Sequence, residues 1–212
     1  MSTAGFIEKY VGFFAKALGD LSPEDIDAVV AVLLDAYDRN ARIFIAGNGG
    51  SASLASHLAC DLEKTASGPQ PRLVRRRLRA ISLNDNMATF SAWANDEGYR
   101  WVFAEQLRSH AEPGDLLIVI SASGNSPNVV AALEAATELG VGSVALLGFD
   151  GGRALELADH ALHVGVSDYG IVEGVHGVLT HVLTASLVLA LGERRAAESA
   201  AARAQHPEVR EA

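Results

Sequence analysis

Apolar residues recur at helical spacing twice within the first forty positions. Phe6, Ile7, Tyr10, Val11, Phe13, Phe14 and Ala17 make one wide apolar face, which Gly19-Asp20 ends. Ser22-Pro23-Glu24-Asp25 then has the form of a helix start, with Ser22 as N-cap and Pro23 at the first helical position. Ile26, Val29, Val30, Leu33, Leu34 and Tyr37 carry that helix to a stop near Arg39-Asn40.

Beyond residue 40 the period changes. Arg42 to Ala46, Leu78 to Leu83, Asp115 to Ile120, Val144 to Leu147 and Ala161 to Val164 are short, β-rich and almost continuously apolar. Helical stretches separate them, including one from Pro127 to Leu139 and a long one from about Val172 to Leu191. Strands apolar on both faces and alternating with helices imply a parallel sheet covered on both sides. The predicted fold is α/β: a three-layer sandwich with a five-stranded, mainly parallel sheet, preceded by the two N-terminal helices. Residues 1–192 form one domain. Thr65 to Arg77, with Pro69 and Pro71, reads as a polar loop, and residues 193–212, with Pro207, as a flexible tail.

The 17 Lys and Arg against 26 Asp and Glu leave a net charge of −9. Phosphate contacts need clustered cations, so nucleic acid is not an expected partner. The exception is the run Arg72, Arg75, Arg76, Arg77 and Arg79, which could attract an anion or simply flank an edge strand. No apolar run reaches the about 18–20 residues that span a bilayer, and Met1 to Lys16 lacks a signal-peptide core. A single cysteine, Cys60, excludes a Cys-rich zinc module. A cytoplasmic protein with no membrane partner is expected.

Chemistry concentrates in two loops. The first strand ends in Gly47-Asn48-Gly49-Gly50-Ser51, and the third in Ser121-Ala122-Ser123-Gly124-Asn125-Ser126. Both precede helices and both fall at the C-terminal ends of strands, where open α/β sheets place ligands. Hydroxyls and helix-terminal amides hold phosphate without adding charge. Ser126 also suits an N-cap ahead of Pro127. His57 and Asp61 share a helix face at i, i+4; Glu173 and His181 share one at i, i+8. The other histidines, His110, His160, His163 and His206, read as structural or surface residues, and His176, one helical turn from Glu173, as packing or as a support behind the ligand residues rather than a ligand itself. Trp93, Trp101 and Phe103 read as core or interface.

The two loops together with Asn95-Asp96 resemble the signature of the sugar isomerase (SIS) domain, and within it the phosphoheptose isomerase family. The similarity covers about residues 1 to 192. Family members place His, Glu, Gln and His at the positions of His57, Asp61, Glu173 and His181, which bind zinc. The resemblance thus implies a Zn2+ site at these four residues, with Asp61 and His181 as the acid–base pair. Asp61 and Glu173 depart from the usual Glu and Gln; two histidines and two carboxylates remain a sound donor set. Family members also place an Arg one turn after the carboxylate, where this chain has Thr65 beside Lys64. The implied substrate contacts are Asn48, Gly49, Gly50, Ser51, Asn84, Asp85, Asp96, Ser121, Ser123 and Ser126.

The implied activity is conversion of sedoheptulose 7-phosphate to D-glycero-D-manno-heptose 7-phosphate through an enediol, for activated heptose synthesis. The alternatives are an isomerase of another sugar phosphate and a non-catalytic SIS phosphosugar-binding regulator. The N-terminal apolar face exceeds what one small sheet can cover, so a homo-oligomer is expected. The resemblance makes it a tetramer with sites near subunit boundaries.

Overall fold

Among the described residues the α-helices and strands follow in the order α1 (Thr3–Gly19), α2 (Pro23–Asp38), β1 (Arg42–Gly47), α3 (Gly50–Glu63), β2 (Arg79–Ser82), α4 (Met87–Asp96), α5 (Ala104–His110), β3 (Leu116–Ser121), α6 (Pro127–Leu139), β4 (Gly142–Leu147), α7 (Gly152–Leu157), β5 (His160–His163) and α8 (Tyr169–Gln205). The computed structural model describes residues 2–68, 72 and 76–205. Pro69, Pro71, Arg75, His206 and Pro207 lie outside the described residues.

The sheet order is β2-β1-β3-β4-β5 and all four pairings are parallel. Successive strand residues point to opposite faces, which divides the core in two. Ile43, Ile45, Ile118 and Leu146 pack with α2, α3 and α8 on one side. Phe44, Ala46, Val119 and Leu147 pack with Phe103, Leu107, Val129 and Leu133 on the other. Phe103 is fully buried and Trp93 and Trp101 pack partly buried against this second core. Strand order reverses between β1 and β3, so the two Gly/Ser loops flank the switch point at which such sheets bind ligands.

At the N-terminus, Ser22 accepts a hydrogen bond from Asp25 N at 3.0 Å and caps α2. In α1 only Ala17 is buried. Phe6, Ile7, Val11 and Phe13 are each more than half exposed, so most of the apolar face of α1 is uncovered in a single chain.

α8 is longer than its sequence pattern predicts. It begins at Tyr169 and continues past Leu191 to Gln205, through part of the stretch expected to be flexible. The Arg194 guanidinium meets both Asp38 carboxylate oxygens at 2.8 Å, and Arg195 donates to Ser67 O at 2.9 Å. By length and composition α8 could cross a membrane. Its Val172, Val175, Leu179, Leu183 and Leu187 instead fill the core. The expected loop after residue 64 opens with a 3-10 turn, Thr65–Ser67.

Candidate active site

The loop after β1 is fixed by side-chain amides. Asn84 Nδ2 donates to Gly47 O at 2.9 Å, and Gly47 N donates to Asn84 Oδ1 at 3.2 Å. Asn48 and Asn128 exchange two amide bonds of 2.9 Å, and Tyr99 Oη donates to Asn48 Oδ1 at 2.9 Å. The side chains of Asn48 and Asn84, expected to face substrate, are thus engaged with the protein. Gly49 is the N-cap of α3, and Ser51 is buried in its first turn. The Asp85 carboxylate accepts a hydrogen bond from Ser56. Asp96 ends α4 and accepts from Asn95 Nδ2 at 2.6 Å.

Ser121, Ser123 and Ser126 line the neighbouring loop, and each is set differently. Ser121 Oγ is buried and accepts from Gly124 N at 3.2 Å. Ser123 Oγ accepts from Asn125 N at 3.3 Å. Ser126 occupies the N-cap of α6 by its backbone, but its hydroxyl makes no capping bond. The expected side-chain cap is absent, and that oxygen is available to a ligand. Gly124 has φ +62°, and a Cβ there would lie 1.9 Å from Gly151 O, so only glycine fits. Arg153 N donates to Asn125 Oδ1 at 2.9 Å, which docks the loop on the start of α7.

His57, Asp61 and His181 meet where α3 lies along α8. Asp61 Oδ2 is 3.3 Å from His57 Nε2 and 3.5 Å from His181 Nδ1, and the two rings stand edge to face at 5.0 Å. The three donor atoms lie within 4.8 Å of one another. Thr65 Oγ1 donates to Asp61 Oδ1 at 2.9 Å, turning the other carboxylate oxygen toward both rings. Tetrahedral zinc with bonds of about 2.0–2.1 Å spaces its donors about 3.3–3.4 Å apart. Two imidazoles and one carboxylate at this spacing fit a divalent metal and leave a position open.

Glu173 does not join this group. It lies two turns toward the N-terminus of α8, and its carboxylate sits against Gly50, where an added Cβ would be 2.9 Å from Oε2. The i, i+8 spacing puts Glu173 and His181 on one face, but the Glu173 side chain reaches the start of α3 instead. His57 and Asp61 are about 10 Å and 16 Å further along that helix at 1.5 Å per residue. Beside them Thr65, Thr184, Ala185, Val188 and Leu189 line an open recess with Asp61 and His181.

His176 is fully buried, and Nε2 donates to Leu147 O at 3.1 Å. Burial pushes its pKa down to about 4, against a smaller upward effect of that carbonyl. Arg76 and Arg79 of the arginine run are turned away from the loops. Arg76 donates to Asp38 O and Arg79 to Asn40 O, at the edge where the strands begin. Thr65, Tyr99 and Asn128 are the contributors that sequence reasoning did not assign; for Thr65 the i, i+4 spacing from Asp61 was the available signal.

This combination of a parallel sheet, two loops at its switch point and an all-parallel order defines the class: residues 9–148 match the SIS domain family. A phosphoheptose isomerase of Citrifermentans bemidjiense is 38% identical over 165 residues, covering 78% of this chain and 83% of that protein. A phosphoheptose isomerase of Geotalea daltonii is 39% identical over 177 residues, covering 83% and 89%. The solved phosphoheptose isomerase GmhA of Neisseria gonorrhoeae superposes with a TM-score of 0.79 at 26% identity, over 88% of this chain and 98% of that one. The chain belongs to the phosphoheptose isomerase family of SIS-domain proteins.

Proposed function

We propose that the protein is an aldose–ketose isomerase that converts sedoheptulose 7-phosphate to D-glycero-D-manno-heptose 7-phosphate, supplying activated heptose synthesis. The family membership gives the substrate class. The observation that carries the chemistry is Asp61 Oδ2 facing His57 and His181 at 3.3 and 3.5 Å. Isomerisation removes a proton from C1 while O2 gains one, giving an enediol; C2 is then protonated and O1 loses its proton. Asp61 and His181 are adjacent groups able to take and return those protons. Thr65 holds Asp61 in the orientation this requires.

His57, Asp61 and His181 would hold a divalent metal, with Zn2+ the leading candidate. Such an ion supplies Lewis-acid polarisation of the hydroxyl–carbonyl pair. Ser121, Ser123 and Ser126 with the N-terminus of α6 would bind the phosphate. Backbone amides of Asn48–Ser51 with Asp85, Asp96 and Glu173 would face the sugar. The uncovered faces of α1 and of Leu189, 69% exposed beside the recess, support a homo-oligomer, taken as a tetramer, with the site near a subunit boundary. Residues 1–192 act as one SIS domain, in the cytoplasm.

NMR of the product formed from sedoheptulose 7-phosphate, with and without chelator, tests this. The heptose 7-phosphate should appear, and chelator should suppress it. An unchanged substrate spectrum would remove the isomerase reading; full activity in chelator would remove the metal from it.

A further inference from the structure

His176 is a buried imidazole that the chemistry above does not use. Leu147 O can only accept, so Nε2 carries the proton and Nδ1 is the lone-pair nitrogen. That Nδ1 is buried without a hydrogen-bond partner. An unpaired buried acceptor opposes folding. Leucine, of similar size, would fill the space without it. Packing alone therefore gives no reason for histidine here; what leucine lacks is the N–H donor.

The acceptor of that donor is well placed. Leu147 ends β4, and its carbonyl also takes Val164 N from the β5 side at 2.8 Å. The next residue, Gly148, donates to Ala122 O of the serine loop at 3.1 Å. A Cβ on Gly148 would lie 2.5 Å from Val172 on α8 and 2.8 Å from Ala122 O, so this strand end is wedged between α8 and the serine loop. Further on, Ala154 N donates to Gly124 O at 2.9 Å. Among the described residues, His176 makes the one side-chain hydrogen bond from α8 to the sheet. Five residues later α8 carries His181.

We infer that His176 is a positioning residue: its N–H pins α8 to the end of β4, setting Glu173 and His181 in register with the strand end that supports the serine loop. The inference deepens the isomerase reading and rests on it for its kinetic consequence. Substrate held by serine loop and α8 groups reacts only when both are in register. In an assembly of identical chains every site inherits the same setting, whichever chain supplies each part.

The test compares His176→Gln, which keeps an N–H of similar reach, with His176→Leu and His176→Met, which keep only apolar volume. Positioning predicts opposite orders for stability and turnover. The apolar variants should melt at or above the temperature of His176→Gln, yet lose about 10- to 100-fold in kcat with KM little changed. His176→Gln should stay within about threefold of wild type in kcat, well short of the loss a misplaced reacting group brings. A packing role predicts turnover that follows stability, and that result would overturn the inference. Amide exchange gives an arm independent of activity. Gly148 and Val164 should exchange about tenfold faster in the apolar variants and not in His176→Gln. Unchanged exchange in both apolar variants would also overturn it. If the wild type fails to isomerise sedoheptulose 7-phosphate, the functional reading falls and the exchange arm alone decides the positioning role.

Discussion

Asn48 and Asn128 bond head to tail, each amide donating to the other at 2.9 Å. Asn48 belongs to the loop after β1 and Asn128 to the first turn of α6, so this pair locks together the two loops that flank the sheet's switch point. Asn128 is 1% exposed, so its amide cannot turn to water when its partner is lost, whereas Asn48 is only partly buried. Asn128→Ala should destabilise the chain by about 1–3 kcal/mol, the loss of two hydrogen bonds worth about 0.5–1.5 kcal/mol each. Tyr99→Phe, which removes one half-exposed donor to the same Asn48 oxygen, should cost about 1 kcal/mol or less. Urea unfolding measures both; wild-type stability in Asn128→Ala would show that the pair does not lock the loops.

The three loop serines should separate by stability and binding. Ser126 Oγ has no capping partner, so Ser126→Ala should stay within about 0.5 kcal/mol of wild type. It should weaken sugar phosphate binding by about tenfold, as loss of a bond to a charged group does. Ser121 Oγ is buried and holds Gly124 N, so Ser121→Ala should lose about 1 kcal/mol of stability as well as affinity. Ser123→Ala should fold normally and bind phosphosugar weakly. Calorimetric titration with sedoheptulose 7-phosphate and with the dephosphorylated heptulose checks this. Equal affinity for the two sugars would place the phosphate elsewhere.

The sheet was readable because β1, β3 and β4 are almost wholly apolar and β1 and β3 end in Gly47 and Ser121, and both loops were readable from composition. His57 and Asp61 were readable from a spacing of four. What sequence did not reveal depends on partners far along the chain. Asn48 read as a ligand residue because its partner lies 80 positions away. The extension of α8 rests on Arg194 meeting Asp38, 156 positions away, and a charged, alanine-rich tail reads as frayed without that contact. Glu173 satisfied the same-face rule for His181, but helical period fixes the direction of Cβ and not where a long side chain ends. His176 read as packing or as a support behind the site without its partner, because an i, i+3 pattern cannot show that a carbonyl waits at the end of β4.

The same histidine gives the protein a defined acid sensitivity. Folded, His176 stays neutral down to about pH 4; unfolded, it takes a proton near pH 6.5. Between those values the unfolded state holds the extra proton, so stability falls as pH drops through the window and levels off below it. The loss from this one group is about 3 kcal/mol. Urea unfolding of wild type and His176→Leu from pH 7 to pH 4 isolates it, because the other titrating groups are common to both. The variant should become more stable relative to wild type as pH falls. Parallel curves would mean that His176 titrates normally in the folded chain.

Glu173 and Gly50 give the sharpest test of how the site is partitioned. His57, Asp61 and His181 bring three donor atoms within 4.8 Å of one another without Glu173, whose carboxylate rests on the first residue of α3. His57→Ala, Asp61→Ala and His181→Ala should each lose bound zinc, and the last two should lose turnover while retaining sugar phosphate binding. Glu173→Gln, of the same shape, should keep zinc within about threefold of wild type, since no charge-bearing ligand is removed, and should keep measurable activity. Gly50→Ala is the complementary probe. Its backbone needs no glycine conformation, so the new Cβ acts mainly by displacing the Glu173 carboxylate, 2.9 Å away. Gly50→Ala should lower turnover in the wild-type background and have no further effect once Glu173→Ala is present, a non-additive cycle expected of groups in contact. Elemental analysis and the isomerase assay on the four combinations decide it. Loss of zinc in Glu173→Gln would return Glu173 to the metal site. Additive effects of Gly50→Ala and Glu173→Ala would mean that the carboxylate works away from the start of α3.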